Sequence, residues 1–145
     1  MKLTKQLITC LTEQDIKQGD DGSFIFPIAT PSGLVSMMIR VDEKAQSLYF
    51  DSATALSIPD VKLDDCYNML NTLNRRFDLL KLIIHPKDKC LGCSIAWINV
   101  DILDIRKLDE YIGICAEGLS YVLPAFITLA RSKLTINESL NILDS

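Results

Sequence analysis

The feature that most constrains the fold is a run of apolar residues in the last third of the chain. Leu108, Ile112, Cys115, Leu119, Val122, Phe126 and Leu129 alternate spacings of four and three. That is one face of an α-helix. Asp104 and Asp109 near its start, and Arg131 near its end, complement the helix dipole. Pro124 removes one backbone donor from its middle and predicts a kink. Tyr111, Ile114, Tyr121 and Ala125 widen the apolar surface beyond a single stripe. A helix of this kind needs a sheet under one side and cover for the rest, from its own chain or from another molecule. Its longest uncharged stretch, Gly118–Ala130, falls short of the about 20 apolar residues a bilayer span needs. No membrane insertion is expected.

The sheet is legible upstream. In Leu34–Val41, the residues Val35, Met37, Ile39 and Val41 form one apolar face, and Leu34, Ser36, Met38 and Arg40 form a mixed one. Such alternation predicts a sheet covered on one side only, with the first four buried against helices. Ser23–Thr30 reads as a strand at an edge or one with a bulge, because Pro27 cannot donate to a ladder. Ser47–Asp51, Leu79–Ile84 and Cys93–Val100 are further strands. Leu3, Leu7 and Leu11 mark a short opening helix. Leu63, Cys66, Leu70 and Leu73 mark a second helix, from about Asp60 to about Arg76, with acidic residues first and Arg75 and Arg76 last. Thr135-Ile-Asn-Glu138 matches a capping box and predicts a tail helix over about 135–143. The order is α-β-β-β-α-β-β-α, an α+β chain, with 1–145 as a single domain.

Charge narrows the partners. The formal net charge is -4 and the pI about 4.9. An acidic surface repels phosphate backbones, so nucleic acid is not an expected partner. The cysteines, Cys10, Cys66, Cys90, Cys93 and Cys115, are odd in number and lack a small-scaffold spacing. They fit a reducing compartment, and a cytoplasmic location is expected. Leu7-Ile-Thr-Cys10 superficially suggests a lipidation site, but no apolar run precedes it and Glu13 and Asp15 follow.

Chemistry has few candidates. Cys90-Leu-Gly-Cys93 could hold zinc or form a redox pair, with His85 as a third ligand. Against this, structural zinc wants four ligands, and residues three apart in a strand face opposite sides. Turn or core cysteines are the plainer reading. His85, the only histidine, sits at a strand end without a nucleophile motif and reads as a solvated loop residue. Asp64-Asp65, and Asp101 with Asp104, could serve a metal-dependent hydrolase, but helix-start charge explains them more simply. Arg75 and Arg76 could bind an anion, and a helix-end pair is again simpler. No phosphate-binding glycine loop is present. Neither a catalytic set nor a cofactor is expected.

A resemblance rests on residues from about Asp60 to Arg131. A helix ends in Leu70-Asn71-Thr72-Leu73-Asn74-Arg75-Arg76-Phe77, two strands follow, and a long helix contains Tyr121-Val-Leu-Pro-Ala-Phe126. This resembles the YbjN family of bacterial sensory-transduction regulators, which is similar in fold to the class I type III secretion chaperones. The resemblance implies a five-stranded antiparallel sheet with helices mainly on one face. It also implies a small, acidic, non-enzymatic protein that binds another protein. Cys90 and Cys93 lie outside its pattern. Three functions fit these residues. The first is a chaperone-like or regulatory protein-binding module. The second is a class I secretion chaperone holding an effector segment, and the third a redox or metal sensor built on Cys90 and Cys93. The residues expected to meet a partner, or a second copy in a homodimer, are Met38, Trp97, Tyr111, Ile114 and Tyr121.

Overall fold

The computed structural model describes residues 2–144. Helix α1 (Lys2–Thr12) is followed by strands β1 (Phe24–Thr30), β2 (Gly33–Asp42) and β3 (Ser47–Ser57). A 3₁₀ turn at Asp60–Lys62 leads into α2 (Leu63–Asn74). Then come β4 (Lys81–Ile84), β5 (Cys90–Trp97), α3 (Ile105–Arg131) and α4 (Ile136–Asn141). The five strands form one antiparallel sheet in the order β1-β2-β3-β5-β4. This is the α+β architecture that the sequence implied.

Period-two alternation decides which side of the sheet is covered. Val35, Met37 and Ile39 are buried, as are Leu48, Phe50 and Leu56 on β3 and Leu91, Cys93, Ile95 and Trp97 on β5. The helices supply the other half of this core, with Leu7, Leu11, Met69, Leu73, Leu119, Val122 and Phe126. Val41 departs from the expectation: near the end of β2 it lines a surface hollow beside Thr4 and is half-buried.

Two polar side chains sit inside the apolar face, and each has a reason. The pairing of β3 with β5 slips between Ala53 and Ser57. Thr54 mends that slip: its hydroxyl donates to the Leu91 carbonyl at 2.9 Å and accepts from the Leu56 N–H at 3.2 Å. Beside it, the Ser52 hydroxyl lies 2.9 Å from the Cys93 sulfur. Buried polar groups must be paired in this way, or they cost about 1–3 kcal/mol each.

Helix α1 is anchored from a distance. The Glu43 carboxylate, from the turn after β2, accepts from the Thr4 N–H and the Thr4 hydroxyl, both at 2.6 Å, and from the Leu3 N–H at 3.4 Å. These backbone N–H groups are donors that the first turn of a helix leaves without partners. The bonds to Thr4 hold the Glu43 carboxyl below its ordinary range. At the other end of the chain, the capping box of α4 forms as expected, with Thr135 and Glu138 bonded reciprocally.

Helix α3 runs unbroken through Pro124. It is long and apolar enough to cross a bilayer by length and composition, which the shorter uncharged stretch in the sequence did not suggest. Half of that apolar window is buried against the rest of the fold, which is the setting of a core helix.

Candidate functional site

Pro124 organises one end of the candidate site. A proline inside a helix leaves the carbonyl four residues back without its usual donor. That carbonyl belongs to Ser120, and the Ser32 hydroxyl, from the turn between β1 and β2, donates to it at 2.7 Å. The Ser120 hydroxyl in turn donates to the Ser32 hydroxyl at 3.1 Å. The hairpin tip is thereby fixed to the second half of α3.

Between that tie and the start of α3 runs a groove. One wall is the outer edge of β1. The other is a single face of α3 bearing Asp109, Gly113, Ala116, Glu117, Ser120 and Tyr121. Steps of three or four from Asp109 to Gly113, to Ala116 or Glu117, and to Ser120 or Tyr121 put them on one face. Two hollows, of about 640 Å³ and about 580 Å³, lie along the groove and share Ala29 in their walls. The segment Gln14–Lys17 closes its far end. Gly113 leaves this wall bare: a Cβ built there would meet nothing within 4 Å. On the opposite side of the same helix, a Cβ on Gly118 would collide with Leu80.

The β1 edge is largely unoccupied. A bridge from Gln18 to Phe24 covers its start. Among the described residues, no strand pairs with it over Pro27–Thr30. The ladder from β1 to β2 is continuous from Phe24 to Thr30, so Pro27, which has no N–H, faces outward with Ala29. The carbonyls of Pro27 and Ala29 therefore line the groove, with the Ala29 N–H as donor. The opposite edge of the sheet is capped at Leu82. There the Asn74 side chain accepts from the Leu82 N–H at 2.7 Å and donates to the Leu82 carbonyl at 3.1 Å.

A second surface is the uncovered face of the sheet. Ile25, paired with Met38, is 59% exposed, and Leu34 is 67% exposed. Met38 itself is half-buried in a small hollow with Ile25, Ala53 and His85. The Arg40–Asp51 ion pair, at 3.2 Å, lies on the same face. His85 is not the solvated loop residue the sequence suggested. Its ring leans over Gly92, and its Nε2 is 3.0 Å from the Ser52 carbonyl oxygen, a place open only because Gly92 has no side chain.

The expected partner residues are therefore dispersed. Tyr121 lines the groove, 44% exposed, with its hydroxyl 3.5 Å from Arg76. Met38 belongs to the sheet face. Ile114 is half-buried against the core. Trp97 and Tyr111 are corrected: both are buried, with their rings 5.3 Å apart edge to face. Phe50 lies 5.5 Å from Tyr111, and the Lys107 ammonium stands over both Trp97 and Tyr111. The reason is register. β5 turns Cys93, Ile95 and Trp97 inward, which leaves Ser94 and Ala96 on the open face. On α3 the sheet takes Tyr111 into its stripe, and Ile112 turns to the groove.

The cysteines also settle differently from the redox or metal reading. Cys93 points into the core, while Cys90 is half-buried near Asp88 on the other side of the strand. The neighbour of Cys93 is Cys115 of α3. The Cys93 thiol lies 3.8 Å from the Cys115 carbonyl. Hydrogen bonding to Cys93, together with burial, pushes the Cys115 thiol far up. Burial pushes Cys66 up to about 11. Cys66 and Cys115 are thereby held protonated as packing groups, while hydrogen bonding within the pair lowers Cys93. Among the described residues, no group of three or more His, Cys, Asp or Glu side chains is placed to hold a metal.

No protein-family profile matches the chain, and no curated protein matches it. Among solved structures, the chain is similar to one in a crystal structure of the ExsC–ExsE complex. The match has a TM-score of 0.58 at 13% identity and covers 82% of this chain and 91% of that one. At that identity the likeness is one of fold.

Proposed function

We infer that this protein is a non-enzymatic, chaperone-like binding module that holds an extended segment of another protein in the groove between β1 and α3. The observation that carries this reading is the juxtaposition of a strand edge, free over Pro27–Thr30, with one helical face. An extended chain laid there gains backbone bonds from the edge and side-chain pockets from the helix. The fold likeness to a protein solved in complex with another protein supports the same reading. So does the acidic pI of about 4.9. Within it, a YbjN-type regulator and a class I secretion chaperone are the two finer roles, and both place the protein in the cytoplasm.

The test uses whatever protein co-purifies with the chain from its native cell. Gly113→Trp fills the groove from a position with open space around it, and removing a helical glycine favours the helix. Leu34→Glu instead places a charge on the open sheet face. Loss of the partner with Gly113→Trp alone supports the groove. Loss with Leu34→Glu alone moves the site to the sheet face. The exposed apolar residues there, Ile25 and Leu34, make it the place for a homodimer contact, which sedimentation of the Leu34→Glu variant would detect.

A further inference from the structure

We propose that the groove selects a basic segment with the pattern basic–x–bulky apolar–x–basic, where x is any residue. The proposal rests on the reading that the groove holds another chain, and adds what that chain must look like. The charged residues of the groove face of α3 are Asp109 and Glu117, both exposed, and neither makes an ion pair or side-chain hydrogen bond among the described residues. Asp15 adds a third carboxylate at the far end, against one ammonium, that of Lys17. The backbone edge leans the same way, because Pro27 turns a carbonyl outward and has no N–H to offer. Both features favour an occupant rich in donors and positive charge.

Spacing supplies the pattern. Asp109 and Glu117 are eight residues apart on one helix, about 12 Å at 1.5 Å per residue. An extended chain advances about 3.3 Å per residue, so about four residues cover that distance. Residues i and i+4 of an extended chain point the same way, and so does i+2. An occupant with side chain i at Asp109 and i+4 at Glu117 therefore presents i+2 midway between them, at the space beside Gly113, with Ala116 toward the Glu117 end. That space has no side chain at its floor from Gly113 and only a methyl from Ala116. It takes a Leu, Met or Phe side chain, and the flanking positions take Lys or Arg. β1 and α3 keep step along the groove: Asp109 lies with Ile25–Ala29, and Tyr121 with Ala29–Ser32. An extended chain along the β1 edge thus meets the three subsites in order.

The test is fluorescence anisotropy with labelled nine-residue peptides whose centre reads Lys-Thr-Leu-Thr-Lys. The controls are Glu-Thr-Leu-Thr-Glu, Lys-Thr-Ser-Thr-Lys, and a version with one lysine moved by one position. The expected result is binding of the first peptide at least tenfold tighter than each of the first two controls, weakening as salt is raised. The displaced-lysine control should bind about threefold more weakly. Asp109→Asn with Glu117→Gln, two exposed changes, should shrink the preference for Lys over Glu about fivefold. Gly113→Trp should abolish binding. If acidic and basic peptides bind equally and Gly113→Trp still blocks both, the pattern is overturned and the groove stands. If the basic peptide binds and Gly113→Trp leaves it untouched, groove and pattern both fall. If no peptide binds, the pattern is overturned, and the co-purified partner decides the groove.

Discussion

The two edges of the sheet solve the same problem in opposite ways. An edge strand exposes unpaired N–H and C=O groups that invite another chain. β4 is only four residues long, and Asn74 occupies the backbone pair at Leu82 with both halves of its amide. β1 is seven residues long, covered at Phe24 and uncovered beyond it, and it stands beside a helix face cleared by Gly113. The β4 edge is thus capped at Leu82, while the β1 edge stands open beside a groove.

The cap on the β4 edge depends most on Asn74. Asn74→Ala removes both bonds to Leu82 and should cost about 2 kcal/mol in chemical denaturation. Amide exchange in β4 should rise while that in β1 stays as it was. The hairpin tie comes next. Ser32→Ala leaves the Ser120 carbonyl unpaired and should cost about 1 kcal/mol. In the background of Pro124→Ala, where the helix recovers its own donor, the same change should cost little. A double-mutant cycle reads this coupling, and an unchanged cost would show that the tie does not answer the proline. Pro27→Val restores an outward N–H to β1. Folding stability should change by less than about 0.5 kcal/mol, while concentration-dependent association in sedimentation should increase. Asn74 predicts no such association for β4.

The smallest effect is that of pH. The Glu43 carboxyl, held low by Thr4, stabilises the fold fully above the ordinary carboxylate range. That contribution is lost as the pH falls through its depressed folded-state value. Because Glu43 anchors α1, and the chain after α1 walls the groove, acid should raise exchange in α1 and residues 14–17 before it affects β4. Glu43→Gln should bring the same loosening at neutral pH and remove its pH dependence.

Much of the fold was legible because its signals are local. Alternation from Leu34 to Val41 named the covered face, the spacing from Leu108 to Leu129 named the long helix, and Thr135 with Glu138 named the tail cap. The missing N–H of Pro27 narrowed β1 to an edge strand or a bulged one, and the continuous ladder to β2 makes it the edge. The site was less legible because it depends on what meets across the chain. Pro124 signalled a freed carbonyl at Ser120, but nothing local says that Ser32, 88 residues away, supplies the donor. Trp97 and Tyr111 were misplaced for a related reason. Period-two and period-3.6 patterns give two faces and leave the choice of inner face to the partner element. Gly113 and Gly118 look alike in sequence, and only the packing of Leu80 separates them.

The most direct measurement of the central claim is amide hydrogen exchange with and without a bound Lys-Thr-Leu-Thr-Lys peptide or the co-purified partner. The Ala29 N–H faces the groove without a strand partner. It should slow by tenfold or more on binding, with little change in β4 or at Met38 and Leu34 on the open face. Protection confined to the open sheet face or to β4, with Ala29 exchanging as before, would contradict the account.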